Sequence, residues 1–349
     1  MDACDGAGKI PGTDCQMNGF NKEWVGCGGS CPYPDSMYAY VPHAETKPYF
    51  DMASQYVLAN QMYASNFDAS SFISHQYIIS GQAQGSINYP GSSWGCPGGS
   101  GDTIGEATKD PPTRQPNGNY QVVCWDPTTL GDELDSAGIS WAFYGVKYSS
   151  YTGIWMAYQA INHIYHSSDW SKDNIGPPSQ FLTDVTNGNL RAVTWVTPTC
   201  ANSDHAGCGS NTGPSWVTSI VNTIGQSQYW DSTAIFIMWD DYGGWYDPEA
   251  PVYKDYDGLG MRIPMLVISP YAKKGHVSNV HYEHGSILKF VEDTFKLGRL
   301  AASDTRAISP AKDCFDFNRS PRKFQVIQAP FGKDYFLHQP LDLRPPDTN

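Results

Sequence analysis

The 349-residue sequence is notable first for what it lacks. It has no run of about 18 apolar residues, so we expect no transmembrane helix. No apolar segment follows Met1, so no signal peptide is visible. Basic residues are few, 22 against 35 acidic ones, and the net charge of −13 disfavours nucleic acid and anionic membranes as main partners. A CxxC pair is also absent, which disfavours a zinc cluster.

Glycine, proline and cysteine are plentiful instead. The 34 glycines and 25 prolines, with only 16% charged residues, indicate a globular, loop-rich chain. Nine cysteines occur, and Cys314 would be left over if the others pair. Disulfides persist in oxidising compartments, so we expect an extracellular or periplasmic protein. The pairs expected to staple loops are Cys4 with Cys15, Cys27 with Cys31, Cys96 with Cys124, and Cys200 with Cys208.

The periodicity of apolar residues predicts alternating strands and helices from about residue 120 to 297, which favours a mainly parallel, three-layer α/β/α sandwich. We expect one domain: an irregular stapled segment at 1–45, a catalytic core at 46–300 and an extension at 301–349. A long loop is expected over 86–119. Helices are predicted from Pro48 to about Asn60, over 69–81, 130–136 and 214–224, and over 286–297. Strands are predicted over 121–124, 139–144, 192–196, 234–238 and 263–269.

The segment 233–246, TAIFIMWDDYGGWY, is the first candidate for the functional site. An apolar strand ends there at Asp240 and Asp241, and ligand-binding groups of α/β sheets lie at the carboxyl ends of strands. Two adjacent carboxylates are costly unless something compensates their charge, and a metal ion is the simplest compensation. The alternative is that both residues only form a turn in which Gly243 and Gly244 adopt positive φ.

A second candidate is Ser71, at the predicted start of the helix that ends at Gly81. Free backbone N–H groups and the helix dipole favour an alkoxide or a phosphate there. The alternative is that Ser71 is only a helix cap. His75, one turn later, is a candidate base or a hydrogen-bonded core or surface histidine. We interpret His163 and His166 as packing or pocket-lining residues, because no carboxylate is near them in the sequence.

Six segments, taken in their order along the chain, form one pattern between about Met17 and Phe295. They are KPYFDMASQYVLANQMYAS, SSFISHQYIISGQA, PTCANSDHAGCG, GPSWVTSIVNTIGQSQYW, TAIFIMWDDYGGWYD and GLGMRIPMLVISPYAKKGHVSNVHYEHGSILKFVED. This pattern resembles the phosphoesterase family of bacterial phospholipases C and acid phosphatases, in the alkaline phosphatase superfamily. The resemblance implies an alkaline phosphatase-like fold and hydrolysis of phosphoric esters.

The resemblance also implies roles for single residues. Ser71 matches the nucleophile that becomes transiently phosphorylated and that faces the metal. Asp240 and Asp241 match the paired aspartates that bind the metal. His205 matches a histidine that contacts the phosphate or the leaving group. A metal beside Ser71 would lower the pKa of its hydroxyl and polarise a phosphoryl oxygen.

The sequence departs from the family pattern in three places. It has no ENRSFD-like segment, whose Glu and Asn complete the metal site in the family, and no histidine just before GKIPGTDCQMNGF. Both departures suggest that a first strand lies upstream of Met1, with a true start and a half-built site as the alternative. In the GGWYDHV-like motif, Pro248 replaces a histidine.

Our leading hypothesis is a metal-dependent phosphoric ester hydrolase that acts on a small phosphate ester or a phospholipid headgroup. The alternative is a catalytically inactive secreted binding protein of the same fold. A glycan-active protein ranks last, because adjacent aspartates suit a shared ion better than two carboxylates about 5–9 Å apart across a sugar. The metal could be Zn, Mg, Ca or Mn, because all four accept carboxylate oxygens.

Overall fold

The computed structural model describes residues 16–22, 35–66, 70–91, 94–107, 116–147, 155–205, 208, 211–252, 254–255 and 259–344. Cys4, Cys15, Cys27 and Cys31 lie outside these ranges, and so do their expected pairings.

Helices and strands alternate through the described chain. The helices are α1 (His43–Gln55), α2 (Ser71–Ser80), α3 (Leu130–Ser136), α4 (Asn162–Tyr165), α5 (Ser168–Lys172), α6 (Gln180–Thr186), α7 (Gly213–Gly225), α8 (His284–Phe295), α9 (Ala302–Arg306), α10 (Ala311–Cys314) and α11 (Lys333–His338). The strands are β1 (Val57–Tyr63), β2 (Ser86–Ile87), β3 (Thr103–Ala107), β4 (Pro116–Val122), β5 (Trp141–Tyr144), β6 (Asn174–Ile175), β7 (Val193–Val196), β8 (Ile235–Met238), β9 (Arg262–Ile268), β10 (His276–Ser278) and β11 (Tyr282–Glu283).

The described strands form three sheets. The first has the order β10-β1-β9-β8, with β11 also paired to β1, and the second has the order β6-β5-β7. Strands β2, β3 and β4 form a small antiparallel sheet. The α/β class is confirmed, but the first sheet is mixed rather than mainly parallel. Strand β9 runs antiparallel to both β1 and β8, and the described residues between β8 and β9 contain no crossover helix.

Strand β5 shows how the layers are arranged. Its four residues are all nearly fully buried and alternate between two faces. Ala142 and Tyr144 pack with residues of α6 and α7, whereas Trp141 and Phe143 pack with residues of α2, α3 and α8. The sheet is therefore covered by helices on both faces, as a three-layer sandwich requires.

The sequence-based prediction was wrong at β1. The helix predicted from Pro48 to Asn60 begins earlier, at His43, and ends at Gln55, after which Val57–Tyr63 is a strand. The short run VLANQMY fits a helix or a strand equally well by periodicity. Pairing with β9, β10 and β11, all more than 190 residues later in the chain, decides for the strand.

The loop expected over 86–119 contains the strands β2, β3 and the start of β4 instead. The disulfides Cys96–Cys124 and Cys200–Cys208 are present, as expected, and Cys314 is a buried free thiol. Within the described residues, no helix has both the length and the apolar character needed to cross a membrane.

The C-terminal part of the described chain packs on the core. Helix α9 lies against α8, and α11 lies against α6 and α7. Phe315 belongs to the apolar cluster around β1 and β9, and Phe336 packs edge-on against Trp216.

Candidate active site

Helix α2 carries the first candidate residue at its head. Its N-cap, Ser70, has extended backbone (φ −71°, ψ 147°), and Gly81 ends it in the left-handed region (φ +67°), where a side chain would be strained. The Ser70 side chain does not cap the helix, because its Oγ donates to the Asn88 carbonyl at 2.7 Å. The first-turn N–H groups therefore lack a side-chain cap and can face an anion in front of Ser71.

Asp241 connects the end of β8 to the head of α2. The Ser71 hydroxyl donates to Asp241 Oδ2 at 3.1 Å, and Asp241 Oδ1 accepts from the Gly243 amide at 2.7 Å. Gly243 and Gly244 have φ of +65° and +79°, so the turn considered from the sequence is also present. Burial, and next the charge of Asp240, raise the pKa of Asp241 well above its ordinary value. Asp241 thus both forms the turn and reaches Ser71.

Asp240 lies beside His75. The Asp240 Oδ2 atom is 3.5 Å from His75 Nε2, and His75 Nδ1 is 2.9 Å from the Trp155 carbonyl oxygen. A carbonyl only accepts, so Nδ1 carries a proton and Nε2 faces the carboxylate. Burial acts to raise the pKa of Asp240, but His75 and then Ser71 outweigh it and hold that pKa below its ordinary value. Asp240 is therefore an anion at neutral pH.

His284 is the first residue of α8 and is fully buried behind Asp240. Its Nδ1 accepts from the Ser65 amide at 3.4 Å. Burial lowers the pKa of His284 to about 4, although the nearby Asp240 charge opposes this shift. His284 is therefore a neutral ring beneath the site, where it supports the end of β8 without adding charge.

His205 lies in a loop closed by a disulfide and lines the cavity that also contains Ser71, Asp240 and Asp241. Its ring lies 5.7 Å from the ring of Trp155, the residue whose carbonyl contacts His75. The Cys200–Cys208 disulfide encloses the loop, and the Cys208 amide donates to the His205 carbonyl at 3.2 Å. The disulfide therefore limits the conformations open to the loop that carries His205.

Asp204, next to His205, anchors the loop to the core. Its Oδ2 accepts from the Tyr49 hydroxyl at 2.8 Å and from Trp239 Nε1 at 3.1 Å. Burial raises the pKa of Asp204, and the Tyr49 and Trp239 donors oppose this shift. The loop that carries His205 is thereby tied to the residue just before Asp240.

One cavity of about 1760 Å³ contains all four residues predicted from the sequence. Ser71 and Asp241 are in direct contact, Asp240 is their neighbour, and His205 is linked to them through Trp155 and His75. Their catalytic roles stay predictions. Sequence reasoning left His75 undecided, although its position four residues after Ser71 put both on one helix face.

Two further members of the site, Asp204 and His284, were not predicted. Asp204 could have been found only as the neighbour of His205. His284 could have been found only as a polar residue at a strand-to-helix junction.

The donor groups fit a divalent cation. Ser71, Asp240 and Asp241 offer hard oxygen atoms, which Mg, Ca, Mn and Zn accept. The His75 Nε2 atom faces an Asp240 oxygen at 3.5 Å, and a ring nitrogen and a carboxylate oxygen in this arrangement can share a proton or a cation.

Among the residues that the structure describes, Cys96, Cys124 and His166 form a compact group with metal-like spacing. Its two sulfur atoms are joined in a disulfide, so neither is a thiolate ligand. This group is therefore not a plausible alternative centre for the metal.

Several known proteins are similar to this chain in sequence. A sequence model of the Phosphoesterase family matches residues 9–298. A non-hemolytic phospholipase C of Burkholderia pseudomallei is 30% identical over 139 residues, 32% of this chain and 20% of that protein. A hemolytic phospholipase C of Pseudomonas aeruginosa is 22% identical over 325 residues, 79% of this chain and 42% of that protein.

Among solved structures, a protein of the alkaline phosphatase superfamily from Vibrio parahaemolyticus has a TM-score of 0.41 at 11% identity, covering 75% of this chain and 64% of that chain. A likeness of this degree adds nothing to the fold described above. The chain spans less than half the length of the curated relatives it matches.

Proposed function

The chain belongs to the phosphoesterase family, and on this premise we propose that it hydrolyses phosphoric ester bonds through a phosphoserine formed on Ser71. The contact between Ser71 Oγ and Asp241 Oδ2, 3.1 Å long and located at the head of α2, is the observation that carries the proposal. It brings a hydroxyl nucleophile, a proton acceptor and uncapped amide groups to one place.

Ser71 acts first. Its Oγ attacks the phosphorus atom while its proton passes to the Asp241 carboxylate, the acceptor of its hydrogen bond. The bond from phosphorus to the leaving oxygen breaks, and protonated His205 donates a proton to that oxygen. The N–H groups of the first turn of α2 stabilise the charge on the phosphoryl oxygens.

Water completes the cycle. Neutral His205 takes a proton from water as its oxygen attacks the phosphoserine. The Ser71 oxygen leaves phosphorus and regains its proton from Asp241. Phosphate, or a phosphate monoester from a diester substrate, is released, and each protein group returns to its starting state.

Ser71, Asp240 and Asp241 would hold a divalent cation, either Zn, Mg, Ca or Mn, with the His75 Nε2 atom facing the same place. Such a cation, when bound, lowers the pKa of the serine hydroxyl and polarises a phosphoryl oxygen. Besides burial, the charge of Asp240 is one cause of the raised pKa of Asp241, and a cation between the two carboxylates would compensate this repulsion.

The substrate class follows from the relatives and from charge. Two matched relatives are phospholipases C, which supports a phospholipid headgroup ester or a small phosphate ester as substrate. The net charge of −13 disfavours nucleic acid. The disulfides Cys96–Cys124 and Cys200–Cys208 support an extracellular or periplasmic location.

The proposal is tested by the variant Ser71→Ala. We expect hydrolysis of p-nitrophenyl phosphorylcholine or p-nitrophenyl phosphate to fall about 10³-fold or more, because the nucleophile is lost. Acid quenching followed by mass spectrometry should find a phosphoryl group on Ser71 in the unmodified chain. A chelator should abolish turnover, and added divalent metal should restore it.

Ser70→Ala is the matched control. It removes the hydroxyl of the neighbouring residue, which donates its hydrogen bond to the Asn88 carbonyl and not to Asp241. We therefore expect the rate of hydrolysis to change less than tenfold. Equal activity of Ser71→Ala and the unmodified chain would contradict the nucleophile assignment. Binding of a ligand that a chelator does not affect, without turnover and in a folded chain, would favour the inactive binding protein.

A further inference from the structure

Seven apolar side chains are exposed together beside the candidate active site. Single exposed apolar residues are normal in a folded protein, whereas a contiguous group of them marks a surface that binds something. The five residues 38–42, YAYVP, are exposed in succession, and Tyr40 is 86% exposed. We call the group the mouth patch, and its members are Tyr38, Ala39, Tyr40, Val41, Pro42, Phe50 and Tyr246.

Ring contacts join the members of the mouth patch. The ring of Tyr38 lies 5.1 Å from that of Tyr246, measured between centroids. At the other end of the stretch, His43 follows Pro42 directly, and its ring lies 4.7 Å from the ring of Phe50. The patch is therefore contiguous in space, although it comes from the stretch before α1, from α1 itself and from the loop that follows β8.

Buried neighbours hold these exposed residues in place. Met37, directly before the stretch, is buried and belongs to the same apolar cluster as Met261. Its carbonyl accepts from the Tyr246 amide at 2.9 Å. In α1, Met52 is fully buried in the core, and residues two apart lie on nearly opposite faces of a helix, so Phe50 points outward. The fold therefore presents the apolar side chains of the mouth patch to the outside.

The mouth patch lies at the opening of the cavity that contains the candidate active site. Val41, Phe50 and Tyr246 line this cavity, although each of them is more than two-fifths exposed. Residues that both line a cavity and face solvent lie where the cavity opens. A flat surface bound to the mouth patch therefore lies across the opening, and its outermost layer faces the site.

The charges around the mouth patch do not favour an anionic surface. Among the residues 35–51, Asp35, Glu45 and Asp51 are acidic and Lys47 is the one basic residue. The Lys47 ammonium group lies 2.5 Å from an Asp51 carboxylate oxygen, so its charge is already paired. The whole chain carries a net charge of −13. Binding at this patch therefore comes from the burial of apolar surface and not from attraction to negative charge.

We propose that the mouth patch docks the chain on a zwitterionic phospholipid bilayer. This inference rests on the proposed function, because a phospholipid headgroup ester is one of the two substrates named there. Tyrosine and phenylalanine rings are stable at the level of the headgroups, where the rings are buried and the tyrosine hydroxyl stays hydrated. The phosphoric ester of a phospholipid lies in the same layer, so docking brings it to the opening of the cavity. A protein bound to the patch would cover that opening instead.

Sedimentation with large unilamellar phosphatidylcholine vesicles tests the docking, in the Ser71→Ala chain so that no lipid is consumed. We expect this chain to bind, and its affinity to change little in about 0.5 M salt or with phosphatidylserine in the vesicles. In the same background, Tyr40→Ser should weaken binding about fivefold, because an aromatic ring buried at the interface is lost. Tyr40→Trp should keep the affinity, because tryptophan also suits the interface.

Tyr120→Ser is the matched control. Tyr120 is 73% exposed, like Tyr40, but it lies on β4 and outside the mouth patch, so we expect this variant to leave vesicle binding unchanged. Equal binding by the Tyr40→Ser and Tyr120→Ser chains would contradict the proposal.

Hydrolysis of two substrates by the chain that keeps Ser71 gives a second measurement. Tyr40→Ser should lower hydrolysis of phosphatidylcholine in vesicles about fivefold. It should leave hydrolysis of soluble p-nitrophenyl phosphorylcholine unchanged, because Tyr40 is not among the residues that line the cavity. If neither substrate is hydrolysed, the proposed function fails, and the sedimentation result still decides the docking.

Three other results would overturn the proposal. The first is that the Ser71→Ala chain does not bind phosphatidylcholine vesicles. The second is binding that requires phosphatidylserine and that salt abolishes, which would assign it to a charged surface elsewhere. The third is a dimer in analytical ultracentrifugation that Tyr40→Ser dissociates, which would assign the mouth patch to contact between two copies of the chain.

Discussion

Glu292 provides the sharpest test of the electrostatics in this structure. It is fully buried in α8, where Arg299 donates to its Oε2 at 2.8 Å and its carboxyl group faces buried Asp304. Burial and Asp304 raise the pKa of Glu292 to about 8, and Arg299 opposes this shift. Folding therefore favours protonated Glu292, and the resulting stability is fully present below the ordinary pKa of 4.5 and is lost progressively as the pH rises from there through 8.

The magnitude follows from the displacement of the pKa from 4.5 to about 8. Linkage between protonation and folding allows this shift to change the free energy of unfolding by at most about 5 kcal/mol, since each pKa unit corresponds to about 1.4 kcal/mol. Arg299 is one-third exposed, so water screens part of this effect. We expect the free energy of unfolding of Glu292→Gln to equal that of the unmodified protein at pH 5 and to be about 2 kcal/mol larger at pH 8.5. The reason is that the Gln side chain keeps a hydrogen-bond donor for Asp304 without having to bind a proton.

Urea denaturation followed by tryptophan fluorescence, at half-unit steps from pH 5 to pH 8.5, measures this difference. Groups that titrate elsewhere affect both proteins equally, so they cancel in the comparison. Asp293→Asn is the matched control, because it removes an exposed carboxylate that binds the same Arg299. A stability difference that stays constant with pH for Glu292→Gln would refute the reasoning.

Two further predictions concern other buried positions. A Cβ atom at Gly213 would lie 2.1 Å from Asp204 Oδ1, so Gly213→Ala should displace that carboxylate, destabilise the protein by about 1–3 kcal/mol and reduce turnover. Gly101→Ala, which meets no atom within 4 Å, should be near neutral in thermal denaturation, and equal effects of both variants would contradict this explanation. Cys314 is buried, and burial raises the pKa of its thiol to about 11. Mass spectrometry should therefore find it alkylated by iodoacetamide only after denaturation, and rapid labelling of the native protein would show that the thiol is accessible.

Local signals were sufficient where a structural feature depends on neighbouring residues. The end of α2 at Gly81 was predictable because a left-handed backbone is a local preference of glycine. The strand before Asp240 was readable because a short apolar run followed by Gly-Gly is a strand followed by a turn. Short loops also made the Cys200–Cys208 disulfide predictable.

Strand β1 was missed for the opposite reason. Its partners β9, β10 and β11 come from the last third of the chain, and the residues of Val57–Tyr63 alone do not predict these pairings. The mixture of parallel and antiparallel strands in the first sheet was also not predictable from the sequence. The direction of a strand depends on the connection that leads to it and not on its own residues.

The sequence by itself determined which residues could do chemistry: a serine at a helix head, two aspartates at a strand end and a histidine in a disulfide loop. Only the tertiary structure decided that Ser71 touches Asp241, 170 residues away, and that Asp240 lies against His75 rather than against solvent alone. It also decided that His284 and Asp204 support the site from below and from the side. The physical reason is that side-chain chemistry and capping are local properties, whereas distance, burial and pKa depend on which distant elements pack together.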